Sequence, residues 1–227
     1  MIYNHNRLIR FCALVVGVSG LIIIFSTVFP ILAYEWEYAN KYPSLLYPIV
    51  AVEVKESNDL DFVAKDLTKA SNWIQNDDNI QFNAKVQTYF SLSIPKLGIA
   101  NARVAIGSED LSDSLIQYPG TALPGKIGNT VIFGHSILPQ YFDPKNYLSI
   151  FSTLPRLSKG DEVYVFYDSV TYKYQVESMF EVRPTDIQIL EQSKSGSYLT
   201  LVTCTPPGHP LKPRRLIVRA RLAPFDM

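Results

Sequence analysis

The chain has 227 residues and a formal net charge of zero at pH 7, with 21 Lys and Arg balanced by 21 Asp and Glu. That length allows one domain of ordinary size with an appended segment. The charge is uneven: residues 1–33 carry +2, residues 34–90 carry −4, residues 91–199 carry −2 and residues 200–227 carry +4. Because the chain has no Lys/Arg-rich block and no arginine-interleaved aromatic stripe, the sequence argues against nucleic-acid binding.

The first element is an apolar stretch without a charged residue, residues 11–33. At about 1.5 Å per residue, a helix of this length spans roughly 34 Å, enough for the ~30 Å hydrocarbon core of a membrane. Two arginines precede it and two glutamates follow it, so the positive-inside rule places the N-terminus in the cytoplasm and residues 34–227 outside. The alternative is a cleaved signal peptide, but the stretch is long and Ile31 is large for a cleavage site. We predict a cytoplasmic tail and single-pass membrane anchor in residues 1–33.

The second element, residues 34–90, is acidic and begins with an aromatic, proline-broken run typical of a membrane interface. Apolar residues then recur at helical spacing after the polar residues 57–59, which can cap a helix. We predict an extracytoplasmic stem with a short amphipathic helix that packs on the domain or spaces it from the membrane. The apolar positions of this helix are Leu60, Val63, Ala64, Leu67, Ala70 and Ile74.

From Ser91 onward, short runs of β-branched and aromatic residues alternate with turn residues. Residues 161–182 predict a hairpin that turns at Asp168 and Ser169. The one helical candidate lies around residues 145–155. Since helical crossovers are missing, the pattern predicts an all-β barrel or sandwich with long loops rather than a parallel α/β sheet.

The two cysteines of the chain differ in their surroundings. Cys12 lies inside the apolar segment, so we do not expect a disulfide, and we predict that Cys204 is a free thiol. Cys204 ends the predicted strand 198–204, and Arg215 begins the next strand, 215–222. Side chains alternate between the two faces of a strand. If the strands are adjacent and antiparallel, Arg215 lies at the same end of the sheet as Cys204 and is its favoured partner.

A thiol beside a guanidinium has two interpretations. It is either a small buried hydrophobic group or a nucleophile whose thiolate, or the oxyanion formed after attack, is stabilised by positive charge. Three histidines are available as a base. His5 is on the cytoplasmic side, His209 shares the loop after Cys204, and His135 stands at a strand end after a glycine. His135 is the favoured base and His209 the alternative. Without CxxC or HxxxH spacing, we predict no metal site.

Three separated stretches, residues 118–136, 157–165 and 198–220, together resemble the sortases, the membrane-anchored cysteine transpeptidases of Gram-positive-type cell surfaces. They follow the order of that family: a histidine strand, a hairpin containing Gly-Asp, a TLxTC strand and an arginine strand. The resemblance covers roughly residues 91–222. It implies an all-β fold, a sortase-type closed β-barrel with long loops and one or two short helices, for a catalytic domain in residues 91–227.

The resemblance also implies a role for individual residues. Cys204 matches the nucleophile, His135 the histidine that protonates the leaving amine and deprotonates the incoming one, and Arg215 the arginine that stabilises the oxyanion or holds the substrate. Thr203 and Thr205 are candidates for substrate binding through backbone or hydroxyl contacts. The implied partners are surface proteins with C-terminal LPxTG-like sorting signals, and the implied amine acceptor is a cell-wall precursor or another protein subunit. Neither a cofactor nor a metal is implied.

The subtype and two other functions stay open. Pilus-polymerising sortases usually carry a lid with an Asp-Pro-aromatic segment before the barrel, yet residues 34–90 contain no Asp-Pro, although the wording TLVTCTP resembles that branch. One alternative is an L,D-transpeptidase-like peptidoglycan cross-linker, whose usual HG…SxGC order differs from the order found here. The other is an inactive, membrane-tethered β-barrel that binds peptides.

Overall fold

One long helix, α1 (Tyr3–Ala39), forms the N-terminal unit of the chain. Its segment Ile9–Phe29 is apolar, with a mean hydropathy of 2.5, and none of it is buried in protein. A helix that is apolar all round suits a lipid environment. This confirms the prediction of one N-terminal helix long and apolar enough to span a membrane. The structure is a computed structural model, and the residues it describes are 3–39, 66–74, 82, 88–209 and 212–224.

The second unit contains a closed β-barrel, which confirms the predicted all-β fold. Around the barrel the strands follow the order β1-β2-β3-β4-β7-β8-β6-β5, and β5 pairs with β1 to close it. The pairs β2–β3 and β4–β7 are parallel, and the others are antiparallel. The strand bounds are β1 (Tyr89–Ile94), β2 (Ile99–Ile106), β3 (Leu115–Gln117), β4 (Gly128–Phe133), β5 (Glu162–Tyr167), β6 (Val170–Val182), β7 (Ser197–Thr205) and β8 (Arg214–Leu222).

The turn predicted between β5 and β6 is confirmed. Asp168 and Ser169 both have positive φ, 51° and 61°, as a two-residue hairpin turn of the primed type requires. The predicted helix around residues 145–155 is shorter than expected, a 3-10 helix at Leu154–Arg156. Before it, side chains of residues 143–149 bond nearby backbone N–H groups and so compete with helical hydrogen bonds. The other 3-10 helices are Ala70–Asn72, Pro95–Leu97, Pro139–Tyr141 and Ile187–Leu190.

Strand alternation divides β7 and β8 between two environments. Leu201, Thr203 and Leu216 are fully buried on the face that lines the barrel. On the opposite face, Val202 and Cys204 join an apolar cluster that includes residues from outside the sheet. The end of β7 is therefore covered on both of its faces.

Residues 66–74, here named the cover segment, pack on that outer face. Their backbone pairs with the loop after β2: Ala70 N–H donates to the Glu109 carbonyl at 2.9 Å, and the Thr68 carbonyl accepts from Leu111 N–H at 2.9 Å. They form a 3-10 helix rather than the α-helix predicted in the stem, because the Asp66 carboxylate accepts bonds from the backbone N–H and hydroxyl of Thr68. The predicted positions 60–64 lie outside the described residues.

Candidate active site

The structure brings the predicted residues His135, Cys204 and Arg215 together at one end of the barrel. In the parallel pair β4–β7, Phe133 lies opposite Val202, and continuing this register by two residues sets His135 beside Cys204. On the other side of β7, Cys204 lies directly opposite Arg215 of β8. The three residues thus form one row across β8, β7 and the segment that continues β4, with Cys204 in the middle.

Trp73 of the cover segment closes this row from solvent. Its ring centroid is 5.4 Å from that of His135 and 5.3 Å from Cζ of Arg215, a cation–π distance. It also meets Phe133 edge to face, with the ring centroids 5.6 Å apart. Trp73 and Arg215 are fully buried, and Cys204 is only 1% exposed. His135 and Arg215 therefore contact one indole ring, and Cys204 is buried in the same cluster as that ring.

Burial makes the His135 imidazole neutral at physiological pH. Removal from water, the largest cause, and the positive charge of Lys212 together lower its pKa to about 4, against the opposing effects of Asp110 and Asp66. Nε2 of His135 is buried and has no hydrogen-bond partner among the described residues. A neutral imidazole with an available ring nitrogen can accept a proton from a nearby donor.

Arg215 places a fixed positive charge next to Cys204. Its NH1 donates to the carbonyl oxygens of Lys212 at 3.0 Å and Arg214 at 3.1 Å, which orients the guanidinium from the loop before β8. Burial lowers its pKa, and the negative charge of a Cys204 thiolate opposes that effect. An arginine keeps its charge even when buried, so this group can stabilise a thiolate or an oxyanion.

Thr203 and Thr205 both bond to protein groups in this structure. The Thr203 hydroxyl faces the barrel interior and donates to the Gly134 carbonyl at 2.8 Å. The Thr205 hydroxyl donates to Oε1 of Glu181 at 3.0 Å, and Oε2 of Glu181 is 2.9 Å from NH1 of Arg214. Burial raises the pKa of the Glu181 carboxyl. Substrate contact by the two threonines stays a prediction.

Sequence reasoning missed Trp73, Glu181 and Ser136 at this site. Trp73 and Ile74 are an apolar pair within a polar run, and such a tryptophan is more often packed than exposed. No comparable sequence pattern marks Glu181, whose burial depends on strand pairing.

The alternative base, His209, lies in the turn after β7, where its N–H donates to the Pro206 carbonyl at 3.1 Å. Within the described residues, no group of three or more His, Cys, Asp or Glu is arranged to hold a metal ion.

Comparison with known proteins identifies the family of this chain. The family model described as Sortase domain matches residues 92–223. The chain belongs to the sortase family. Two curated sortases A are similar to it: that of Staphylococcus aureus, 30% identical over 129 residues, and that of Streptococcus agalactiae, 27% identical over 125 residues. The matched parts cover 48% and 55% of this sortase-family chain, and only 59% and 45% of the two relatives.

Solved structures show the same fold. The Clostridium perfringens sortase D5 transpeptidase aligns with a TM-score of 0.52 at 25% identity, over 63% of this sortase-family chain and 83% of that protein. The family match thus begins within β1 and includes all three residues of the row, His135, Cys204 and Arg215.

Proposed function

We propose that this sortase-family chain is a cysteine transpeptidase that cleaves an LPxTG-like sorting signal near the C-terminus of a surface protein. It passes the acyl part to an amine of a cell-wall precursor or of a pilin-type subunit. The observation that carries the proposal is the row formed by His135, just beyond the end of β4, Cys204 on β7 and Arg215 on β8. A neutral base, a thiol and a fixed cation are the groups that acyl transfer through a thioester needs. A relative described as a transpeptidase adds support.

In the first half-reaction, the Cys204 sulfur attacks the carbonyl carbon of the Thr–Gly-type bond in the sorting signal. The thiol proton goes to His135, and the oxyanion that develops on the substrate lies in the field of the Arg215 guanidinium. The imidazolium then returns the proton to the leaving amine as the C–N bond breaks. The products are a thioacyl enzyme and the released C-terminal fragment.

In the second half-reaction, the acceptor amine attacks the thioester carbon. His135 takes the proton that the amine loses, the C–S bond breaks, and the proton returns to the Cys204 sulfur. One peptide bond has broken and one amide bond has formed, so no external energy source is required. Because water competes with the amine at this step, a site shielded from solvent favours transfer over hydrolysis.

The membrane placement is part of the proposal. The apolar helix α1 anchors the chain in the cell membrane, with the N-terminus in the cytoplasm and the barrel outside. Two arginines before the apolar segment and two glutamates after it support this orientation. Outside the cell the barrel would meet both surface proteins and wall precursors.

Full-length chain in detergent micelles, incubated with LPxTG-like peptides, tests the chemistry. We expect intact-mass spectrometry to show a thioacyl adduct, and an added amine to convert it into transpeptidation product. Cys204→Ala should abolish both, whereas Cys12→Ala, the matched change at the other cysteine, should leave them unaltered. Full cleavage by Cys204→Ala would refute the assignment of the nucleophile. Unchanged activity of His135→Ala would shift the base to His209.

The orientation can be tested separately with a reporter thiol. Lys159 is exposed in the loop before β5, so Lys159→Cys in a Cys12→Ser background presents an accessible thiol on the barrel. A membrane-impermeant maleimide should label it on intact cells. Labelling only after lysis would place the barrel in the cytoplasm and refute the proposed topology.

A further inference from the structure

The residues on either side of His135 are tied to the end of β7 by side-chain hydroxyls. Phe133 and Val202 are the last registered pair of β4 and β7, and Gly134 N–H donates to the Val202 carbonyl at 3.1 Å. Beyond this point, the Thr203 hydroxyl donates to the Gly134 carbonyl at 2.8 Å. The Ser136 hydroxyl donates to the Cys204 carbonyl at 2.7 Å. The two hydroxyl bonds, here named the hydroxyl clasp, extend the contact between the strands past the regular ladder.

The clasp is buried and has little freedom to rearrange. Ser136 is 2% exposed and Thr203 fully buried, so water does not compete for either bond. At Gly134, a Cβ would lie 2.5 Å from side-chain carbons of Leu115 and Phe151, so only glycine lets the chain approach this closely. The backbone that carries His135 is therefore held at fixed distance from β7.

The backbone of His135 is held from the other side as well. Its carbonyl accepts from Phe151 N–H at 3.0 Å, and the N–H of Ile137, two residues later, donates to the Ser152 hydroxyl at 2.8 Å. These bonds attach the histidine to the loop before β5, whereas Ser136 alone attaches it to the nucleophile residue itself. Of the two bonds in the hydroxyl clasp, the Ser136 bond is thus the one that reaches Cys204 itself, whereas the Thr203 bond joins the residues before His135 and Cys204.

We infer that Ser136 is a positioning residue, whose hydroxyl bond to the Cys204 carbonyl sets the separation between the His135 imidazole and the Cys204 thiol. The inference rests on the proposed function for its kinetic consequence. Proton transfer and nucleophilic attack depend steeply on that separation, and a displacement of about 1 Å can lower a rate on the order of a hundredfold. Substrate binding depends on it much less.

The test compares full-length variants in detergent, all in a Cys12→Ser background. Ser136→Ala removes the bond, Ser136→Thr keeps a hydroxyl, and Ser197→Ala is the matched control. Ser197 is also a buried serine, but its hydroxyl lies 3.3 Å from the Tyr174 hydroxyl at the opposite end of β7. For cleavage of an LPxTG-like peptide, we expect Ser136→Ala to lower kcat about tenfold to a hundredfold with KM within about twofold. Ser136→Thr should recover most of kcat, and Ser197→Ala should keep it.

A second readout needs no peptide substrate. The pH dependence of iodoacetamide alkylation at Cys204 reports the thiolate population, which depends on the distance of the thiol from His135 and Arg215. We expect its midpoint to shift in Ser136→Ala and not in Ser197→Ala. If the parent chain cleaves no sorting peptide, the proposed function fails, and the clasp is judged on this alkylation profile alone.

Three results would overturn the inference. The first is an unchanged kcat and alkylation midpoint in Ser136→Ala. The second is an equal loss in Ser197→Ala, which would indicate a general effect of removing a buried hydroxyl. The third applies if Ser136→Ala does not fold: Thr203→Val then removes the other half of the clasp, and an unchanged kcat in that variant would contradict the inference. Failure of both to fold would make the clasp purely structural.

Discussion

Replacing Trp73 by alanine removes the side chain that closes the active site. The indole contacts His135 and Arg215, and its only hydrogen bond in the described structure runs from Nε1 to the Leu67 carbonyl at 2.7 Å, within the cover segment. The side chain therefore attaches the cover segment to the barrel by packing rather than by polar bonds. We expect Trp73→Ala to release the cover segment while the barrel stays folded.

The size of the effect follows from the burial of the ring. Truncating a fully buried tryptophan to alanine costs about 3–5 kcal/mol, and here the loss falls on the docking of the cover segment. Since about 1.4 kcal/mol corresponds to a factor of ten, its opening equilibrium should shift by roughly a hundredfold or more. Opening also returns water to His135, so its pKa should rise from about 4 towards its ordinary value of 6.5.

Two measurements on full-length chain in detergent check these expectations. Alkylation of Cys204 by iodoacetamide, in a Cys12→Ser background, should accelerate at least about tenfold because the reagent reaches the thiol only in the open state. A pH titration of the histidine Cε1–H signals by NMR should show the pKa of His135 moving upward.

The matched control is Trp36→Ala, which changes the other tryptophan of the chain, a residue 79% exposed on α1. It should alter neither the alkylation rate nor the pKa. Equal alkylation rates in Trp73→Ala and Trp36→Ala would refute the idea that Trp73 closes the site. A His135 pKa that stays near 4 in Trp73→Ala would refute the attribution of its low value to burial under the indole.

Three further predictions concern charged groups at the site. Arg215→Lys keeps the charge but loses the guanidinium that bonds the carbonyls of the preceding loop, so the rate of sorting-peptide cleavage should fall. Arg219→Lys, on the same strand face, should leave that rate almost unchanged. Because the folded pKa of His135 is below its unfolded value, its contribution to stability is complete above pH 6.5 and is lost as pH falls towards 4. His135→Gln should therefore flatten the denaturant-measured stability in that window, by up to about 3 kcal/mol. The raised pKa of Glu181 has the opposite effect on stability. The contribution of this carboxyl to stability is complete below pH 4.5 and is lost as pH rises through its folded pKa. Glu181→Gln should gain stability relative to the parent with rising pH, and a relative loss would contradict the burial argument.

The strands, the hairpin turn and the shared face of Cys204 and Arg215 could be predicted because each depends on local pattern, whereas the role of His135 came from the resemblance to the sortases. Alternation placed Cys204 and Arg215 on the same strand face, and the structure confirms them as direct partners. The turn at Asp168 and Ser169 follows from residues that tolerate positive φ. Alternation and the turn are encoded within a few residues of where they appear, whereas the β4–β7 pairing that brings His135 to Cys204 is long-range.

The cover segment could not be predicted in the same way. Its apolar spacing indicates a helix, but Asp66 captures the Thr68 N–H, and the segment pairs with a loop some 40 residues later. The burial of Glu181 likewise arises from β6 meeting β8, a long-range pairing that leaves no periodic signal at the residue. Tertiary contacts decide both features, and local preference does not report them.

The parallel pairing of β4 with β7 has a consequence for when the chain becomes reactive. Parallel strands cannot be joined by a tight turn, and here β5 and β6 lie between them in sequence. During synthesis, His135 emerges long before Cys204, and the two meet only after β7 has paired with β4. Such sequence-distant contacts form late in folding. A chain in which β7 has not yet paired with β4 therefore has no assembled pair of imidazole and thiol, and the row is complete only when the barrel is.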